Sequence, residues 1–414
     1  MAPPRGGHYS ITIISLSLNL VIKAGASLRG ASAAMALFVK QGFASFTVPC
    51  FSTIRSWLLR VGCYALSRPL ERTVPWVWLI DHTIQIGSLK LLVILGCPLA
   101  QVPFGERALQ LADLRLVALV PMEKSNGAAV EAELRKARER TGTPHLIVSD
   151  QGSDLLKGIA DFQSGYPRVA HVLDVAHYVA NVLEKTWSNQ PRWRQFMHDL
   201  QSVSGKLRQT PTAYLLPPQQ RTKARFMNIG VQLRFARRVL RLLDLPNPNE
   251  RAENIYGWLR DYRDDLTHWE REHALVQTTI ATVRVQGLHA QTLEQLEAVW
   301  GEIGSSESTV RIAEQLRDYA KLDPPLEQGR RFVASTEILE SCFGKLKRLE
   351  QDQSGNGITG LVLALGAIVG TLSDDELKAA LDAVPQKQAD GWIDRQIGRT
   401  IQWLRRQFFK QTKA

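Results

Sequence analysis

The chain is short of the residues that mark several common architectures. It has four cysteines in 414 residues, Cys50, Cys63, Cys97 and Cys342, and none forms a Cys-x-x-Cys pair. That excludes a disulfide framework, argues against zinc held by thiolates and suits a reducing cytosol. No window approaches the roughly 18 uncharged apolar residues of a membrane helix. The nearest, Ser10–Ile22, follows Arg5 and precedes Ala24-Gly25-Ala26 in the manner of a weak signal peptide. It is short and interrupted by Ser, Thr and Asn, so we read it as a buried element of an N-terminal domain. There is no Gly-rich phosphate loop and no nucleophile elbow, which leaves little basis for a small-molecule enzyme. Internal repeats and low-complexity tracts are also absent.

Acidic residues are in deficit. There are 40 Asp+Glu against 51 Lys+Arg, a net charge of +11. The excess is not spread evenly: residues 1–72 carry +7, residues 386–414 carry +5, and the body between them is −1. Basic appendages on a near-neutral body suit a polyanion, most simply nucleic acid. What remains is ordinary for a folded chain, 44% hydrophobic and 22% charged, and the length implies two or three domains.

Residues 10–65 read as mostly helical. Ser27 caps a helix running to Gln41, and after a break at Gly42–Pro49 a second apolar stripe appears at Ile54, Trp57, Leu58 and Val61. Thr53, Arg55, Ser56 and Arg60 lie off that stripe, so a helix-turn-helix domain with these four on its DNA-reading face is expected. From residue 73 the period changes. Trp76–Ile80 reads as a strand ending in Asp81, followed after a turn at Gly87-Ser88 by Lys90–Gly96 and then Leu114–Val120. A helix near 125–140, a strand at His145–Asp150, a helix near 153–163, a strand at Val169–Asp174 and a helix at Val175–Trp187 complete a β-β-β-α-β-α-β-α order. Residues 188–330 show helical periods only, as in Phe226–Leu243 and Thr292–Val299, and form an all-α block. Helical patterns resume at 331–385, with a break at Gly355–Gly357 before the apolar run Ile358–Leu372. The basic 386–414 segment reads as an amphipathic helix with Trp392, Ile397, Ile401 and Leu404.

Two strand ends carry the chemistry. Asp81 and Asp150 follow the first and fourth strands, which can be neighbours in one mixed sheet. Their carboxylates then suit a hard divalent cation such as Mg²⁺, with a third carboxylate from elsewhere. A single Asp after a strand is common in turns; two at matching topological positions are not.

In these residues the chain resembles bacterial insertion-sequence transposases of the Asp-Asp-Glu type. Leu79-Ile80-Asp81-His82-Thr83 and Ile147-Val148-Ser149-Asp150-Gln151-Gly152 match the first two acidic positions of such enzymes. Glu340, Phe343 and Lys347 match a Glu followed by an aromatic and then by a Lys seven residues on. Glu337 is the rival third carboxylate, but Gly344 stands seven residues after it. Asp174-Val175-Ala176-His177 is similar to the Asp-x-x-His of Mutator-like and hAT-like elements, where a supporting role is implied; its bland reading is a helix cap with a first-turn His. His82 and Asp154 are treated as bystanders. Thr336 stands where the Tyr-x₂-Arg-x₃-Glu-x₆-Lys signature has Arg, which argues against the groups defined by it.

The resemblance implies an α/β, RNase H-like mixed five-stranded sheet with an N-terminal helix-turn-helix and an all-α insertion that contacts element-end DNA. The corresponding domains are 1–72, 73–187 and 331–385 for the split core, 188–330 for the insertion, and 386–414. It implies a Mg²⁺-dependent enzyme, with Mn²⁺ as substitute, holding metal on Asp81, Asp150 and Glu340 and placing Lys347 near phosphate. Its partners are double-stranded DNA (terminal inverted repeats and target) and further copies of itself, in the bacterial cytosol and away from membranes. Trp258 and Trp269 are candidate base-stacking residues in the insertion. The alternatives are an RNase H-like nuclease or resolvase without strand transfer, and a non-catalytic DNA-binding regulator.

Overall fold

The computed structural model describes residues 2–86, 89–219, 225–304, 306–321, 330–351, 359–398 and 408–409, with the backbone alone for 83–86 and 225. Three helices come first, α1 (Ile11–Ile22), α2 (Leu28–Lys40) and α3 (Phe51–Ser67). Then come β1 (Trp76–Ile86), β2 (Leu89–Pro98), β3 (Arg115–Met122), α4 (Gly127–Thr141), β4 (Leu146–Ser149), α5 (Ser153–Gly165) and β5 (Ala170–Leu173). A helical stretch follows: α6 (Val175–Trp187), α7 (Pro191–Leu207), α8 (Gly230–Leu243), α9 (Glu250–Tyr256), α10 (Arg263–Gln286), α11 (Thr292–Ile303) and α12 (Glu307–Ala320). Last are α13 (Glu337–Gln351), α14 (Leu365–Ile368), α15 (Asp374–Ala383) and α16 (Gln386–Gln396). Among the described residues no helix is long and apolar enough to cross a membrane.

The five strands form one mixed sheet in the order β3-β2-β1-β4-β5. β1, β2 and β3 are an antiparallel meander, and β4 lies parallel to β1. A parallel neighbour requires a crossover connection, and α4 supplies it. The chain is therefore α/β, built on the mixed five-stranded sheet that its element order implies. Trp76, Trp78 and Ile80 on β1, with Leu92, Ile94 and Ile147, pack under Val130 and Leu134 of α4 and Leu155, Ile159 and Phe162 of α5. Period-2 alternation thus assigns the even-numbered residues of β1 to the α4/α5 side.

Two segments differ from their sequence reading. β1 does not stop at Asp81 but runs to Ile86, because β2 continues to pair with it, His82 opposite Leu92 and Thr83 opposite Leu91. Nor is Ile358–Leu372 one helix: Gly360–Ala364 is a 3₁₀ turn, followed by the four-residue α14. A Cβ on Gly62 of α3 would overlap the Leu363 carbonyl, and one on Gly366 would come within 2.7 Å of the Gly62 oxygen. Backbone meets backbone here, where only glycine fits.

The same packing involves the N-terminal helices. The chain divides into two compact units, one of Met1–Pro103, Ala108–Val172 and Thr336–Ala414, the other of Phe104–Arg107 and Leu173–Ser335. Residues 1–72 are therefore part of the sheet-bearing unit. α3 buries Leu59 and Cys63 as well as the stripe of Ile54, Trp57, Leu58 and Val61, and packs on α2, α14, α15 and α16. Its end is tied down by Arg140 of α4, which donates to the carbonyls of Leu116 (3.1 Å), Val117, Ala65 (3.2 Å) and Arg68 (3.1 Å). Burial pushes the Arg140 guanidinium down to about 10, still charged at neutral pH.

Among its described residues the second unit's regular elements are helices, apart from the last residue of β5, Leu173, and one isolated bridge between Leu288 and Phe332. It begins earlier than residue 188 and takes in α6. Its core is aromatic: ring centres lie 4.5 Å apart for Trp187–Trp193, 4.7 Å for Trp193–Trp269 and 5.2 Å for Phe196–Trp269. The Trp187 indole N–H donates to the buried Glu272 carboxylate. Trp269 is thus core, whereas Trp258 is half-buried and packs edge-on against Tyr262, 5.6 Å away. The expected turn at Gly87-Ser88, the break at Gly355–Gly357 and the half of the last helix with Ile401 and Leu404 lie outside the described residues.

Two stability outcomes follow from this packing. Gly62→Ala should cost about 1–3 kcal/mol by overpacking, read as a lower denaturant midpoint; no loss would mean that α3 is not part of the core. In the second unit, burial and the neighbouring Arg234 push the His273 imidazole down to about 4. Its folded value lies below the ordinary 6.5, so the unfolded chain takes the proton first and stability falls as pH drops from about 6.5 to 4, by at most roughly 3 kcal/mol. Urea melts of His273→Gln should show a shallower decline over that window.

Candidate active site

The β1–β4 pairing brings the two aspartates together. Ile80 is partnered with Ser149 in the parallel ladder, so Asp81 and Asp150 are the next residue on each strand path. Neighbouring strands lie about 4.8 Å apart, which makes these adjacent positions. Ile80 and Ile147 face α4 and α5, so alternation sends Asp81 and Asp150 to the opposite side. That side is covered by α3, α13 and α14, and α13 packs against β1 itself. Both aspartates are half-buried. Each is held by nearby backbone: Asp81 Oδ1 accepts the His82 N–H (2.6 Å), and Asp150 Oδ1 accepts the Gly152 N–H (2.9 Å).

The third carboxylate is less closely placed. Glu337 and Glu340 stand in the first turn of α13, whose buried face is Leu339, Cys342, Phe343, Leu346, Leu349 and Glu350. Glu337 is half-buried, while Glu340 and Lys347 are exposed and Phe343 is core. A spacing of seven residues keeps Lys347 on the face of Glu340. Among the described residues no three His, Cys, Asp or Glu side chains converge as a metal site. The structure therefore joins Asp81 to Asp150 and sets α13 against β1, but it does not bring Glu340 onto the pair. In kind, two adjacent carboxylates fit a hard, oxygen-seeking cation.

Behind the aspartates lies a polar cluster that the sequence did not single out. His82 points to the α4/α5 side, where its Nε2 is 3.0 Å from the Ser125 hydroxyl and its Nδ1 is 3.8 Å from Asp154 Oδ2. Lys90 Nζ also lies 3.8 Å from that oxygen. Burial raises the Asp154 carboxyl, but Ser125, His82, the Leu155 amide and Lys90 outweigh it and hold the group below its ordinary range. His82 is lowered chiefly by burial, against the pull of Asp154. On the neighbouring strand His171 Nε2 is 2.9 Å from the Ser149 hydroxyl, and burial pushes that imidazole down to about 4. The available signal was positional: His82 follows Asp81, and Asp154 is one helical turn after Asp150.

The remaining sequence candidates are placed as follows. Asp174 belongs to the second unit, is 1% exposed and caps α6. Its Oδ1 accepts the His177 N–H (2.8 Å) and lies 2.8 Å from His177 Nδ1. On α3, Ser56 bonds Gln386, and Arg60 donates to the carbonyls of Val384 (2.6 Å) and Leu381. These two side chains are engaged by α15, the residue after it and the start of α16. Thr53 and Arg55 are half-buried near the start of α3.

No family model and no curated protein matches the chain. Among solved structures it is similar to the HTLV-2 integrase catalytic core domain in complex with magnesium (dimeric form), at 15% identity over 30% of this chain and 80% of that one, with a TM-score of 0.17. It is also similar to the Drosophila P element transposase strand transfer complex, at 13% identity over 92% of each chain, with a TM-score of 0.34. Scores this low carry no activity across.

The Asp174 cap has a stability readout of its own. Asp174→Ala should lower stability by about 1 kcal/mol through loss of the N-cap, whereas Asp174→Asn keeps an acceptor there. Equal losses in thermal melts of the two variants would contradict a capping role.

Proposed function

We propose that the chain is a DNA transposase that binds element ends and catalyses metal-dependent cleavage and strand transfer. The observation that carries the proposal is the pair Asp81 and Asp150, placed side by side by the Ile80–Ser149 rung on the side where α13 packs. Asp81 and Asp150 would hold Mg²⁺, with Mn²⁺ as substitute and Glu340 of α13 as third ligand. Bound there, the cation would activate water and neutralise charge at the scissile phosphate. The protein supplies position: the His82 and Gly152 amides orient the two carboxylates before DNA arrives. Lys347, exposed on the Glu340 face, offers a cation to the DNA backbone. Thr53 and Arg55 remain the α3 residues for end recognition. Terminal inverted repeats and target DNA are the substrates, bound by a dimer or larger assembly in the bacterial cytosol.

One observation favours a second reading. The third carboxylate is not gathered among the described residues, as would suit a transposase-derived DNA-binding regulator that does not cut. A cleavage and joining assay on DNA carrying candidate inverted repeats separates the two. The wild type should cut and join with Mg²⁺. Asp81→Asn, Asp150→Asn and Glu340→Gln should each fall to the no-metal background while end binding is retained, and Glu337→Gln should remain active. End binding without cutting in the wild type would support the regulator; cutting without joining would indicate a nuclease.

A further inference from the structure

We propose that Asp154 is a positioning residue for the aspartate pair. Through His82, with Ser125 and Lys90, it braces the strand bearing Asp81 against the helix that follows Asp150. The inference rests on the metal-dependent reading above and deepens it.

The brace joins four separate pieces of chain: His82 on β1, Lys90 on β2, Ser125 before α4, and Asp154 on α5. His82 is the central link. Its ring is held from one side by the Ser125 hydroxyl (3.0 Å) and approached from the other by Asp154 Oδ2 (3.8 Å). Its backbone N–H is the donor that orients Asp81 Oδ1 (2.6 Å). The ring is hydrogen-bonded at Nε2 and confined at Nδ1 by the nearby Asp154 carboxylate, which restricts the residue whose amide aims Asp81. At the other end, a Cβ on Gly152 would meet Asp150 Oδ1 at 3.1 Å and Asp154 Oδ1 at 3.2 Å. The two carboxylates therefore crowd one turn, and a side chain at Gly152 would require them to shift by a few tenths of an ångström.

Burial makes the brace consequential. The His82 and Asp154 side chains are 14% and 16% exposed. Polar interactions between groups this buried are screened less than at an exposed surface. Asp154 Oδ2 is buried; Ser125 does most to favour its charged form, with His82 next and Lys90, 3.8 Å away, contributing less. Loss of the Asp154 charge would release His82 and Lys90 together, loosening both aspartates while removing no metal ligand.

The test is Mn²⁺ titration of the full-length protein without DNA, by calorimetry, with thermal melts in parallel. Asp154→Asn preserves shape and removes charge, and should weaken Mn²⁺ binding about 10-fold, in the range for residues that orient metal ligands. Ser125→Ala should weaken it less, and the double variant should fall short of the product of the two effects. A lower melting temperature with unchanged Mn²⁺ affinity in Asp154→Asn would overturn the proposal and leave the metal-dependent reading standing. Absence of Mn²⁺ binding in the wild type would overturn both. If Asp154→Asn does not fold, Ser125→Ala decides: weaker Mn²⁺ binding supports the brace, and unchanged affinity overturns it.

Discussion

The parallel pairing of β1 with β4 is the constraint on which the rest depends. Without its register, Asp81 and Asp150 are two unrelated turn residues separated by 69 positions of chain. With Ile80 opposite Ser149 they become neighbours. A slip of one residue would turn Asp81 into the α4/α5 core and expose Ile80, because side chains alternate across the sheet. The register is held by the apolar residues themselves. Trp76, Trp78, Ile80 and Ile147 lock under Phe162, Leu155 and Leu134, so the hydrophobic packing that folds the sheet also aims the acids.

The N-terminal helices show how charge arithmetic can mislead. The +7 of residues 1–72 suggests an appendage made for DNA, yet part of it is spent inside the fold. Arg60 donates to α15 and its C-terminal neighbour, and Arg68 pairs with Glu376 at 3.2 Å. α3 meets the chain after α13 backbone to backbone at Gly62 and Gly366. A cation at a helix surface and one that closes an internal carbonyl look the same in a sequence. Only the partner helices, more than 300 residues away, distinguish them.

Much of the sheet and of the aspartate pair was legible in the sequence, for a physical reason. Strand runs such as Trp76–Ile80 and Ile147–Ser149 are buried on both faces, so they stand out as continuous apolar stretches, and an acid that ends such a run is conspicuous. The helical character of the second unit was equally plain from its period. What was hidden depends on distant contacts. The continuation of β1 past Asp81 comes from β2, and the break in Ile358–Leu372 comes from Gly62. Trp269 could not be told from a stacking residue until Trp193 and Phe196 were seen around it. The brace through Asp154 was hidden because the sequence places His82 and Asp154 only near the two aspartates, and their contact depends on how β1 packs against α5.

The central claim is that Asp81 and Asp150 together hold a divalent cation. Its most direct test is a Mn²⁺-soaked crystal with anomalous scattering measured at the manganese edge. The account requires a peak shared by the two carboxylates, at about 2.1–2.2 Å from an oxygen of each. A peak elsewhere, or no peak between Asp81 and Asp150 at saturating Mn²⁺, would contradict it.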